Sequence, residues 1–183
     1  MGFMGAGKST LGPPLAEKLG RQFVDLDEWI ESNAGETISD LFRAKGEVYF
    51  RELETKALET LSQQSNLLIA LGGGSMMSEK NQKILQSTGT LIYLRAKWNT
   101  LLDRLEKDPQ DRPLLLSQNQ GSSTLESLFR LRQSKYEEIA SWTIETDQKH
   151  PSEVLSEVLS EVLSKVLSEP QSRVEPSAKT RSY

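Results

Sequence analysis

The sequence predicts an α/β fold in three layers, a parallel sheet with helices on both faces. Leu67 to Leu71 (LLIAL) and Thr90 to Leu94 (TLIYL) are unbroken apolar runs of strand length, as expected of strands covered on both faces. They alternate with stretches whose apolar residues recur at helical spacing, the pattern of β-α-β units. The third observation is at the amino end. From Gly2 the chain reads G-x-x-x-x-G-K-S through Gly7, Lys8 and Ser9, the phosphate-loop pattern that leads from a strand into a helix.

Each part of that loop has a physical reason. Glycines let backbone N–H groups curl around an anion without Cβ clashes. The helix that follows turns the positive end of its dipole toward the same charge. Lys8 can reach the β- and γ-phosphates of a nucleotide, and the Ser9 hydroxyl can complete the shell of a Mg²⁺ ion. The amino end is therefore read as a binder of nucleotide phosphates.

Composition excludes several other classes. The 183 residues suit one domain with a proper core. A formal net charge of −4 argues against a broad nucleic-acid surface. No cysteine is present, which removes disulfides, thiolate metal sites and cysteine nucleophiles together. The single histidine, His150, stands beside Pro151 in a polar stretch and reads as solvated. No apolar run reaches membrane-span length, and the phosphate loop occupies the place of a signal peptide. A cytoplasmic monomer without nucleic-acid or membrane partners is the expectation.

Leu11 to Gly20 reads as a helix ending at a glycine, although Pro13 and Pro14 strain a first helical turn. Phe23 and Val24 form a short strand with Asp25 and Asp27 at its carboxyl end, where ligands sit in open parallel sheets. Strand alternation would point both aspartates the same way. One carboxylate suits Mg²⁺ through water, the other a substrate hydroxyl. Glu28 to Asn33 continues as helix to Gly35, Thr37 starts another, and a longer helix follows Gly46 with Phe50, Leu53, Ala57, Leu58 and Leu61 inward. In it Arg51 and Glu54 lie three apart and can meet.

The LLIAL strand runs directly into Gly72, Gly73 and Gly74, bare backbone that a ligand can approach closely. Ser78 to Leu85 is helical, then comes the TLIYL strand, then a helix from Asn99 to Glu106 with Arg104 near its end. Asp111-Arg112-Pro113 opens a polar stretch, Ser117 to Thr124, that reads as a lid with Arg112 at its base. A helix from Leu125 to Ala140 and a last strand from Trp142 to Glu145 complete the pattern. Trp29, Trp98 and Trp142 read as packing residues. From Ser152 the chain repeats S-E-V-L three times, then S-K-V-L. Each step turns a helix about 400°, so the apolar stripe drifts; two repeats should cap the sheet and the rest project or self-associate. The last residues, 170 to 183, are rich in Pro, Ser and charge and read as disordered.

With these motifs in place the sequence resembles the shikimate kinase family, small relatives of the nucleoside monophosphate kinases. The resemblance runs from Gly2 to about Ser168. It rests on GFMGAGKST, the D-x-D of Asp25 and Asp27, F-R-x-x-E at Phe50, Arg51 and Glu54, LGGG at 71–74, RPLL at 112–115, and R-x-x-x-Y at Arg132 and Tyr136. It implies a three-layer P-loop kinase fold and transfer of the γ-phosphate of ATP to the 3-hydroxyl of shikimate, a step toward chorismate and aromatic amino acids. Gly5, Ala6, Gly7, Lys8, Ser9 and Thr10 would then hold ATP, with Arg104 near adenine and Arg112 on the lid. Ser9 and Asp25 would serve Mg²⁺. Asp27, Arg51, Gly73 and Arg132 would hold shikimate, with Asp27 also orienting or deprotonating the attacking hydroxyl, and Glu54 would keep Arg51 in place.

Two departures stand out. The family places a strand immediately before the loop, central in a sheet of order 2-3-1-4-5, and that strand has no counterpart here. The LLIAL and TLIYL strands would then face an empty slot, and a translation start further upstream is expected. Pro13 also stands where the family usually has arginine. The rival readings are gluconate kinase or another small-molecule kinase, against which LGGG with F-R-x-x-E argues, and a kinase-like binding protein without turnover. Intact Lys8, Asp25, Asp27, Arg51, Arg112 and Arg132 argue against the second.

Overall fold

The computed structural model describes residues 1–107 and 122–168, in which four strands alternate with seven α-helices. In chain order these are α1 (Lys8–Lys18), β1 (Gln22–Asp25), α2 (Leu26–Ala34), α3 (Ile38–Leu61), β2 (Leu67–Ala70), α4 (Glu79–Thr88), β3 (Ile92–Arg95), α5 (Trp98–Lys107), α6 (Ser122–Ile139), β4 (Trp142–Glu145) and α7 (Pro151–Ser168). A single 3₁₀ turn, Ser75–Met77, follows β2. Arg112, the rest of the RPLL segment, most of the expected lid and the expected disordered tail lie outside the described residues. The last residues of that expected lid, Ser122 to Thr124, begin α6 instead.

All strand pairing is parallel, β1 with β2 (Phe23 opposite Leu68) and β3 with β4 (Tyr93 opposite Thr143). No ladder joins β2 to β3 among the described residues. Between them runs a trough of about 660 Å³ whose walls include Leu67, Ile69, Leu71, Ile92 and Leu94. Met1 stands at its edge: its N–H group donates to the Ile92 carbonyl at 2.7 Å and its carbonyl accepts from the Leu94 N–H at 2.9 Å. That alternation about Tyr93 is the hydrogen-bond pattern of a parallel ladder. The two pairs thus flank the position that the family's central strand holds in the order 2-3-1-4-5.

Local chemistry sets the element ends. The Asp25 carboxylate caps α2 by accepting from the Asp27 N–H at 3.0 Å, and Gly35 closes that helix in the left-handed conformation. Thr37 caps α3 and Ser78 caps α4 in the same manner. Gly46, at φ 80°, breaks α3 into the two helices that the sequence suggests. Helix α1 starts at Lys8 rather than Leu11, so Pro13 and Pro14 fall in its second turn. There they remove donors to the carbonyls of Ser9 and Thr10, residues exposed enough for water to replace the lost bonds.

The core links the loop to the second strand pair. Phe3 packs edge-on against Phe129 at 5.4 Å, Trp98 packs on Phe129 at 5.4 Å, and Tyr93 meets Tyr136 at 5.2 Å. On α7 the drift of the apolar stripe is visible as fading burial: Val154 and Val158 are buried, Val162 is half-buried, and Leu163 is 55% exposed. No helix among the described residues is long and apolar enough to cross a membrane.

Candidate active site

Two glycines shape the loop at the amino end. Gly5 and Gly7 hold φ of 78° and 92°, values that a side chain makes costly. Gly7 is also the N-cap of α1, and no side chain bonds to the helix end there. The first turn of α1 therefore lacks a side-chain cap, and its N–H groups with the helix dipole behind them suit an anion. Ala6 is buried beneath, while Ser9 and Thr10 face solvent. The Lys8 ammonium folds back across the loop and donates to the carbonyls of Gly2 and Phe3 at 2.9 and 3.2 Å. Arg104 grips the loop from α5, donating to the Gly5 carbonyl at 3.2 Å and to the hydroxyl and carbonyl of Thr146 at 3.1 and 2.7 Å.

The D-x-D pair is arranged differently from the sequence expectation. The strand ends at Asp25, and Asp27 lies in the first turn of α2, so helical geometry and not strand alternation turns it toward the loop. Asp25 accepts from the Ser9 hydroxyl at 3.2 Å with its second oxygen. Hydroxyl and carboxylate together are the hard oxygen donors that Mg²⁺ takes, one or two from the protein and the rest from water and phosphate. No cluster of three or more acidic, His or Cys residues is placed to hold a metal among the described residues. Burial raises Asp27 from the usual carboxylate value to about 6, helped by Asp25 and Glu54 and opposed by Lys8. Its proton balance is thus poised near neutrality, where a general base is useful.

The three glycines after β2 form the floor of a second subsite. A methyl group on Gly72 would stand 2.6 Å from Oδ1 of Asp27, and one on Gly73 would stand 3.1 Å from Nη1 of Arg132. One on Gly74 would lie 2.7 Å from Nη2 of Arg51, and nearer still to Nη1. Each glycine thus clears space for one charged side chain, and the run brings all three together from α2, α3 and α6. The close approach that the sequence suggests is made by these side chains.

Arg51 is held from both sides. Its guanidinium donates to Glu54 at 2.6 Å and to Glu47 at 2.9 Å. Burial alone would lower its affinity for a proton, but Glu54 and Glu47 outweigh that and raise it. Glu54 is 1% exposed and also accepts from the Ser75 hydroxyl at 2.5 Å. The Ser75 carbonyl accepts from Asn81, whose own oxygen accepts from Thr55. This is a buried polar network and not an exposed intrahelical ion pair. Arg132 is the opposite case: 5% exposed, 5.8 Å above the Phe3 ring, with its Nε buried and unpaired. Burial lowers its proton affinity. A buried guanidinium with an unpaired N–H is costly unless an acceptor joins it.

Every sequence-predicted site residue in the described portion lies in one of these two subsites. Sequence reading missed Ser75, Asn81, Glu47 and Thr146, whose roles depend on contacts between residues remote in sequence or on an ordinary helix face. Lys8, Ser9, Asp25 and a loop-to-helix anion cradle, beside an acid-and-arginine pocket, define a P-loop small-molecule kinase. Comparison with known proteins narrows the class. A family profile described as shikimate kinase matches residues 4–163. The shikimate kinase of Sulfurihydrogenibium sp. is 43% identical over 155 residues, covering 85% of this chain and 90% of that protein. The shikimate kinase from Acinetobacter baumannii, solved in complex with shikimate, superposes with a TM-score of 0.82 at 38% identity, covering 91% and 92% of the two chains. A gluconokinase from Sinorhizobium meliloti, at 16% identity and a TM-score of 0.52, shares the fold alone. The chain belongs to the shikimate kinase family.

The glycine floor makes one test direct. Gly74 holds φ −101° and ψ −14°, open to alanine, so Gly74→Ala should act only by pushing the Arg51 guanidinium aside. The Michaelis constant for the acidic substrate should rise roughly tenfold, the worth of one charge-assisted hydrogen bond, and the urea midpoint should fall as well, because the displaced guanidinium leaves the buried Glu54 carboxylate short of a partner. An unaltered constant would remove Gly74 from the pocket.

Proposed function

We propose that this chain transfers the γ-phosphoryl group of ATP to the 3-hydroxyl of shikimate. The observation that carries the reading is the convergence of Asp27, Arg51 and Arg132 on bare glycine backbone beside the phosphate loop, where a methyl group on Gly73 would come within 4.0 Å of the Gly2 carbonyl. Shikimate presents one carboxylate and three hydroxyls. Two guanidinium groups match the carboxylate, and the acid of Asp27 suits a hydroxyl.

Phosphoryl transfer needs positioning and charge neutralisation above all. Lys8 and the first-turn amides of α1 hold the phosphates, and Arg104 supports the nucleotide side through the loop it grips. Ser9 and Asp25 would hold Mg²⁺, which when bound neutralises charge on the β- and γ-phosphates. Arg51 and Arg132 bind the carboxylate and Gly73 supplies the floor. Asp27 accepts the hydrogen bond of the attacking hydroxyl and takes its proton as the P–O bond forms. The resemblance assigns the transferring group to Arg112, which lies outside the described residues. The chain is taken to act as a monomer in the cytoplasm, with shikimate and ATP as its ligands.

An assay of ADP release with shikimate, gluconate and nucleoside monophosphates offered in parallel tests the assignment. Turnover with shikimate alone is expected, and turnover with gluconate alone would defeat it. Because Asp27 acts ionised, kcat/KM should rise with pH through a limb near the value of about 6, and Asp27→Asn should cost about 10²-fold or more while abolishing that limb. Arg132→Met should separate binding from stability. It removes a buried guanidinium whose Nε has no hydrogen-bond partner among the described residues, so the unfolding midpoint should hold or rise, while the Michaelis constant for shikimate climbs at least tenfold.

A further inference from the structure

Tyr136 stands one helical turn after Arg132 on α6, and neither the loop chemistry nor the grip on substrate makes use of it. Its side chain is buried against Tyr93, and its hydroxyl donates to the Gly73 carbonyl at 2.5 Å, across 63 residues of sequence. That carbonyl belongs to the middle residue of the glycine floor. In a trans peptide the following N–H, that of Gly74, points the opposite way, so holding the Gly73 oxygen fixes the direction of the Gly74 amide as well. The three glycines lack side chains to anchor them, and glycine is the residue with the most backbone freedom to lose. The floor nonetheless has to present Gly72 to Asp27, Gly73 to Arg132 and Gly74 to Arg51 within the close clearances already described.

We infer that Tyr136 is a positioning residue for substrate binding, whose hydroxyl pins the Gly73 carbonyl and so sets the glycine floor on which Asp27, Arg51 and Arg132 converge. The same helix then delivers both the Arg132 guanidinium and the clamp on the backbone beneath it, so a shift of α6 moves the cation and its floor together. Burial lifts the tyrosine far above its ordinary titration range, which keeps the hydroxyl a donor at every working pH. Hydrogen bonds across the far end of the same turn, from Asn81 to the Ser75 carbonyl and from Ser75 to Glu54, hold the other side. The middle of the floor depends on Tyr136.

This inference rests on shikimate as the acceptor, and its test separates the two ideas. Tyr136→Phe keeps the ring packed on Tyr93 and removes only the hydroxyl. In the free protein, amide exchange of a peptide spanning residues 71–77, followed by mass spectrometry, should quicken about tenfold, while peptides from α3 stay unchanged. In kinetics the Michaelis constant for shikimate should rise about three- to tenfold, with that for ATP unmoved and kcat within about twofold of the parent. Unchanged exchange, or equal losses for both substrates, would overturn the role given to Tyr136. Failure of the parent chain to use shikimate would instead overturn the functional assignment, and the exchange result would still decide whether the hydroxyl holds the floor.

Discussion

The pocket depends on one buried carboxylate. Glu54 sits at the bottom of the second subsite, removed from water, with Arg51 on one oxygen and Ser75 on the other. A charge placed there is tolerable only because both partners are present. The arrangement orients Arg51 toward the glycines and ties α3 to the turn after β2 in the same stroke. Asn81 and Thr55 extend the connection to α4. The elements that carry the acid-binding residues are thus braced against each other by polar contacts, in a region where apolar packing alone would leave the arginine several rotamers.

Arg51 and Arg132 look alike in a sequence and differ in kind. The first arrives already neutralised, as one half of a prearranged pair. The second is buried without a hydrogen-bond partner for its Nε, a cost that folding bears and that a carboxylate placed beside it would relieve. Stability spent in this manner becomes affinity for an anion, which is the trade-off expected where a site serves function over fold.

Much of this was legible in the sequence because the features are local. The phosphate loop, the helix end at Gly35, the break at Gly46 and the strand at Trp142–Glu145 each follow from a few adjacent residues. The start of α1 and the placement of Asp27 on a helix were missed, because an N-cap glycine in the left-handed conformation and a helix beginning directly at a strand end leave no break in periodicity. Ser75, Asn81 and Thr146 were missed for a different reason. A buried serine or asparagine has the same letter as a solvated one, and only the partner brought by the fold, 21 residues away for Ser75 and Glu54, tells them apart. Tyr136 lay in between, visible as part of R-x-x-x-Y while its contact with Gly73 was not.

Among the described residues the trough between β2 and β3 is a seam between two strand pairs. Two strand edges with backbone donors and acceptors facing an apolar channel form a template for any extended polypeptide. Met1 already occupies its first rung beside Tyr93. An extended segment laid in that seam would find hydrogen-bond partners along both of its edges at once.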